Sequence, residues 1–145
     1  PLGRFGPAHY RRIHWHLFRD VYAWAGRYRN VRTGKGGNSF CYPEYIATSM
    51  DVLFRRLQDP TFQRGAAEVD FLNALAAFLA DLNAIHPFRE GNGRTQLAFV
   101  DLLAFRAGRP LNLGLLRPQP FLDAMIASFS GETAALRAEL AAMRV

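Results

Sequence analysis

The run His86-Pro87-Phe88-Arg89-Glu90-Gly91-Asn92-Gly93-Arg94 puts an imidazole, a carboxylate, two glycines around an amide, and an arginine into one short stretch. Each residue type suits phosphate chemistry. An imidazole with an ordinary pKa of about 6.5 can take a proton from an attacking hydroxyl, which would make His86 a general base. Glu90 offers a hard oxygen ligand for Mg²⁺ bridging phosphate oxygens. Gly91 and Gly93 allow positive φ and close approach of the backbone, so Gly91, Asn92 and Gly93 can present a nest of amides to a di- or triphosphate. Arg94 adds a planar fork for a further phosphate.

These groups need two helices to place them. Val69, Phe71, Leu72, Leu75, Phe78, Leu79, Leu82 and Ile85 recur at three- and four-residue spacing, the mark of an amphipathic helix that Pro87 then ends. His86 is therefore expected at a helix mouth, with Phe88 as the core anchor of the loop. Beyond it Leu97, Val100, Leu103 and Ala104 restore the pattern until Gly108. Gly91, Asn92 and Gly93 thus feed a helix N-terminus, whose free N–H groups and positive dipole end favour an anion.

The remaining chain reads as all-α with one hairpin. A first helix is expected from about Pro7 to Trp24, with Ile13, Leu17, Phe18, Val21 and Ala25 on one face. The glycine-dense stretch within Tyr28 to Tyr42 predicts a short hairpin. Pro43 opens a helix carrying Ile46, Met50, Leu53, Phe54 and Leu57 that stops near Asp59 and Pro60. A Pro-rich connection from Arg109 to Pro120 precedes helical patterns at Phe121–Ser128 and Thr133–Met143. With 145 residues, half of them hydrophobic, a single domain spanning 1–145 is the simplest expectation, although a first residue other than Met suits a fragment of a longer protein.

Composition narrows the function classes. No uninterrupted apolar run approaches the length of a membrane span, and no signal-peptide pattern opens the chain, so no membrane partner is expected. The lone Cys41 excludes an internal disulfide and fits a reducing compartment. A net charge of +6 raises the question of nucleic acid, but the arginines are spread from Arg4 to Arg144 without a dense tract, which argues against a nucleic-acid face. His14 and His16 bracket Trp15 with no further ligand at a metal-site spacing, and packing or solvent exposure is expected of them.

Residue by residue, the loop resembles the signature H-P-F-x-[DE]-G-N-G-R of the Fic (filamentation induced by cAMP) family, whose members transfer AMP from ATP to protein hydroxyls. Nine ordered positions with few free choices make this specific. The resemblance extends to Ile13-His14, Leu17-Phe18, Asp20-Val21-Tyr22 and Trp24-Ala25-Gly26, to Asn38 through Pro43, and to Ala127 through Glu132. It implies a Fic-type helical fold with a β-hairpin flap and a protein adenylyltransferase acting as a bacterial toxin or effector, with ATP as substrate and Mg²⁺ as cofactor. His86 would be the base, Glu90 the metal ligand, and Gly91, Asn92, Gly93 and Arg94 the phosphate site. The flap, Gly34, Lys35, Gly36, Gly37, Asn38, Ser39 and Phe40, would dock the target segment. Arg27, Arg29, Arg32 and Lys35 lie along or beside it, either as a solvated edge that discourages aggregation or as charges that steer an acidic target surface toward His86. A target protein hydroxyl and a small antitoxin or inhibitory protein are the implied partners. The implied location is the bacterial cytoplasm, or a host cell reached by translocation.

The family pattern usually carries a second arginine where this chain has Leu97, and that arginine meets the terminal phosphate. Leu97 also fits the apolar stripe of its helix, which predicts burial. Two other readings therefore stand beside the first: a catalytically weak Fic-fold interaction module, and transfer of another nucleotide monophosphate. Gly93 stands where phosphorylating Doc-type relatives usually carry Lys, which favours nucleotide transfer. Ser128 and Glu132 show the spacing of an inhibitory signature, but Thr133 follows where Gly or Asn is expected, so the match reads as coincidence.

Overall fold

The computed structural model describes residues 3–35 and 37–145; Gly36, expected in the flap, lies outside the described residues. Its helices are α1 (Pro7–Phe18), α2 (Ile46–Arg55), α3 (Glu68–Ile85), α4 (Asn92–Arg106), α5 (Pro118–Ala127) and α6 (Ala134–Ala142), and a hairpin pairs β1 (Gly34–Lys35) with β2 (Asn38–Ser39). The architecture is mostly helical with one antiparallel hairpin. No described helix is long and apolar enough to cross a membrane.

The chain forms two compact units, one from the residues up to Leu57 together with Leu82–Phe99, the other from Gln58–Asp81 and Val100–Val145. The first is organised by aromatic rings. Tyr10 of α1 meets Phe54 of α2 at 5.5 Å and Phe99 of α4 at 5.4 Å between centroids, and Phe54 meets Phe99 at 5.3 Å. Phe88 lies under the same cluster, stacked on Tyr10 at 5.7 Å. Such edge and offset contacts add direction to burial that is otherwise non-directional. In the second unit Phe62 packs edge-on against Phe71 and Phe78 of α3 at 6.4 and 6.2 Å. Its chain end is tied by an antiparallel bridge between Leu111 and Arg144 and by the Asn112 N–H on the Met143 carbonyl at 2.7 Å. Arg144 and Arg109 both reach Glu68 in the first turn of α3.

Several element boundaries differ from the sequence expectation; Pro43 opens a 3-10 turn, Pro43–Tyr45, and α2 begins only at Ile46. Helix α1 ends at Phe18 instead of Trp24, because the N–H groups of Val21 and Tyr22 both return to the Phe18 carbonyl at 2.9 Å and the chain turns back toward Gly26. Gly26 has φ +81 and donates its N–H to His14 Nδ1 at 2.9 Å, a bond a continuous helix could not make. Leu17 and Val21, expected on the buried face, are 45% and 68% exposed. At the other end α5 starts at Pro118 and not at Phe121, since a proline in the first turn loses no hydrogen bond and has φ already set.

Candidate active site

The last turn of α3 leaves backbone carbonyls without helical partners, and beyond one final helical bond the chain satisfies them from outside. The His86 N–H closes on the Leu82 carbonyl at 3.0 Å, and the Cys41 N–H reaches the Ala84 carbonyl at 3.1 Å. Arg29 takes the next two: its Nη2 donates to the Ile85 carbonyl at 3.1 Å and its Nε to the His86 carbonyl at 2.7 Å. Its own N–H then holds the Pro87 carbonyl at 2.9 Å. A cation at a helix C-terminus also meets the negative end of the helix dipole. Arg29 was expected on the exposed flap edge; it is instead buried, 3% exposed.

His86 itself has φ +50, the left-handed region that non-glycine residues seldom occupy. The turn swings its ring under Phe40, with centroids 3.7 Å apart and planes 5° from parallel. Burial there lowers the pKa from 6.5 to about 4, helped by the positive charges of Arg29 and Lys35 and opposed by the nearby Asn83 carbonyl. The ring is thus neutral at physiological pH, as a base must be. Nδ1 is buried and closes no hydrogen bond among the described residues.

Across the loop, Asn92 opens α4 with a side chain turned inward. Its Oδ1 accepts the Phe88 N–H at 3.0 Å and its Nδ2 donates to the Phe88 carbonyl at 2.8 Å, so one buried amide closes the loop on both sides of Phe88. Thr95 caps from the other direction, with N–H and Oγ1 both on the Gly91 carbonyl at 3.2 and 2.8 Å. The backbone N–H groups of Asn92, Gly93 and Arg94 lie in the first turn, where no helical acceptor exists. They form the anion-binding end of the helix.

The glycines divide their tasks. Gly91 has φ +83, and a Cβ there would stand 2.4 Å from Phe18 Cε2, so neither conformation nor space admits another residue. Gly93 has no positive φ, contrary to expectation, because it already belongs to α4. A Cβ on it would meet nothing within 4 Å. No internal constraint calls for glycine at this position, and the space it leaves open lies beside the first-turn amides.

His14 supplies a contact that no motif marks. Because the Gly26 N–H donates to Nδ1, the proton must sit on Nε2, which donates to the Glu90 carbonyl at 2.9 Å. The ring stacks on Phe88 at 3.8 Å, and burial lowers its pKa. With the Glu90 backbone so held, its carboxylate is left exposed, and no described side chain pairs with it. His9 is likewise packed, accepting the Phe5 N–H at 3.1 Å, whereas His16 is exposed.

Arg94 is exposed in the first turn of α4 and has no ion-pair partner among the described residues, and Leu97 is half-buried, less enclosed than an apolar stripe implies. In the hairpin Gly34 pairs with Ser39 and Lys35 with Asn38, all four exposed. Gly34 tolerates no side chain because a Cβ would lie 2.8 Å from the Asn38 carbonyl, and Gly37 turns the hairpin with φ +81. Phe40 departs from the docking edge expected of it, being buried on His86. Arg32 covers Tyr42 at 4.3 Å. Groups of three or more His, Cys, Asp or Glu able to hold a metal are absent among the described residues.

A His-bearing loop thus runs into a glycine-flanked helix N-terminus, with Phe40, just after the hairpin, stacked on the histidine. A profile described as Fic/DOC family matches residues 4–104. The chain belongs to that family. It is 51% identical over 144 residues to "Probable protein adenylyltransferase y4lH" of Sinorhizobium fredii (strain NBRC 101917 / NGR234), covering 99% of this chain and 75% of that protein. To "Probable protein adenylyltransferase Fic" of Escherichia coli (strain K12) it is 32% identical over 137 residues, covering 94% and 68%. Among solved structures, the N-terminal Fic domain of a VirB-translocated Bep effector protein of Bartonella quintana with bound ADP matches with a TM-score of 0.89 at 26% identity, covering 100% of this chain and 75% of that one.

Proposed function

We propose that this chain is a protein adenylyltransferase that moves AMP from ATP to a Ser, Thr or Tyr hydroxyl of a target protein, serving as one Fic domain. The observation that supports it most is the pairing of a neutral, half-buried imidazole at the end of α3 with an unobstructed helix N-terminus opening α4. The target oxygen attacks the α-phosphorus and forms the new phosphoester bond as the bond from that phosphorus to the bridging oxygen breaks. Pyrophosphate leaves. With Nδ1 buried and the ring neutral, Nε2 of His86 is the nitrogen assigned to accept the hydroxyl proton. The amides of Asn92, Gly93 and Arg94, with the Arg94 guanidinium, hold the phosphates and the charge that grows on the leaving group.

Glu90 fits Mg²⁺: a single exposed carboxylate, unpaired among the described residues, is the small share of ligands that this ion takes from protein when phosphates and water supply the rest. Bound there, the ion would neutralise phosphate charge. The exposed strand pair of the flap would receive the target segment by adding a strand, and a separate antitoxin-like polypeptide would restrain the site. Ser128 is unsuited to inhibition, since its hydroxyl is buried on the Met125 carbonyl at 2.5 Å. The proposed setting is the bacterial cytoplasm or a host cell reached by translocation.

Incubating the chain with α-labelled ATP, Mg²⁺ and lysate, beside a His86→Ala variant, tests the reading. A labelled protein band should appear with the parent and fall on the order of 10²–10⁴ in rate with the variant. A parent that binds ATP yet labels nothing would leave the interaction module as the better account. Label from UTP or GTP, with none from ATP, would reassign the donor.

A further inference from the structure

Arg29 is a buried cation whose hydrogen bonds all end on main-chain carbonyls. Besides Ile85 and His86, its Nη1 donates to the Val31 carbonyl at 2.7 Å and its Nη2 to the Cys41 carbonyl at 2.5 Å. Val31 lies before β1 and Cys41 after β2, so the fork grips the hairpin where it leaves and where it returns. No carboxylate neutralises it among the described residues. A buried charge is costly unless its donors are satisfied, and here carbonyl dipoles alone do so. The residue it grips most directly, His86, has φ +50, and a strained conformation persists only where its surroundings over-determine it.

We infer that Arg29 is a positioning residue for the transfer reaction: it holds the His86 backbone in its left-handed turn and joins it to both ends of the flap, so base and docking edge keep one geometry. The inference rests on the adenylyltransferase reading. It separates two jobs within the site. The phosphate loop is shaped by His14, Asn92 and Thr95, none of which touches Arg29, so loss of the fork displaces the base and spares nucleotide binding. Lysine cannot replace it, since a compact ammonium cannot reach carbonyls that diverge as these do.

Arg29→Lys and Arg29→Met should therefore fold, bind ATP with the parent Kd, and lose kcat on the order of tenfold to a hundredfold, the scale of an ångström-sized misplacement. The His86 ring, followed by NMR titration, should shift upward in Arg29→Met, where a facing positive charge is gone and Lys35 remains. A folded Arg29→Lys with parent kcat would overturn the inference. Hydrogen exchange on the parent covers the case in which neither variant folds: the amides of Arg29, Cys41 and His86 should exchange in one shared opening, and independent openings would overturn the inference equally. His86→Ala, assayed alongside, separates the two levels. Retained labelling there removes the reaction assignment itself, whereas a silent His86→Ala beside a fully active Arg29→Lys removes only the role of Arg29.

Discussion

The ring of Phe40 lies flat on that of His86, with centroids 3.7 Å apart. Phe40 thereby contributes to the burial of the proposed base. Burial holds the folded pKa near 4 against 6.5 for an ordinary histidine. Between these values the unfolded chain binds a proton that the folded chain refuses, so stability should fall as pH drops from about 6.5 to about 4. His14, also lowered by burial, acts in the same direction. Chemical denaturation over a pH series should show this slope, and Phe40→Ala should flatten it by exposing the ring. A His86 signal titrating near 6.5 in the parent would contradict the stacked geometry.

Gly91 and Gly93 should respond oppositely to alanine. Gly91→Ala meets both a positive φ and Phe18, and should destabilise by roughly 1–3 kcal/mol. Gly93→Ala meets open space inside a helical turn and should leave stability equal or raise it by up to ~1 kcal/mol, while weakening ATP binding. Melting curves and calorimetric titration of both variants decide it, and an unchanged ATP affinity in Gly93→Ala would remove the nest from the phosphate site.

Asn92→Ala would strand the buried N–H and carbonyl of Phe88. The expected loss is roughly 1–3 kcal/mol, read as a lower denaturant midpoint with unchanged slope. Full stability would mean that water replaces the amide.

Leu97→Arg places a guanidinium on a half-buried site one turn into α4. Stability should change by no more than about 1 kcal/mol, and ATP should bind on the order of tenfold more tightly if the fork reaches a phosphate. A lower melting temperature without gain in affinity would show that packing governs the position.

Arg27, Arg32 and Lys35 stay exposed beside the flap while Arg29 is buried, and of these Arg32 and Lys35 lie nearest the strand pair in sequence. Charge reversal at both should slow target labelling at low salt and lose its effect as ionic strength rises. Equal rates across a salt series would deny the basic flap any part in recognition.

The sequence displayed the loop because its chemistry is local: proline, glycine and the aromatic anchor act within a few residues of where they stand. The order of the helices was equally legible from apolar spacing. What escaped it depends on distant partners. Nothing in Arg29 distinguishes it from Arg27 or Arg32 until the carbonyls at the end of α3 are known to lack donors. His14 looked like packing and is packed, yet its tautomer is set by Gly26 and used on Glu90. Asn92 read as part of an amide nest, while its side chain turned inward and only its backbone remained outside. The shortened α1 has the same origin, since apolar spacing continues past Phe18 although the chain does not.

The division of labour around Asn92 bears on how this family can lose its activity. The side chains that shape the loop, His14, Phe88, Asn92 and Thr95, are buried, whereas those proposed to meet the reactants, Glu90 and Arg94, are exposed, and His86 lies between. A descendant relieved of selection for transfer would be free to exchange the exposed set at little cost to folding, but not the buried set. Its backbone would still trace the same loop. Silent members should therefore be recognised by which letters of the motif have drifted, and a superposition of main chains would fail to tell them from working enzymes.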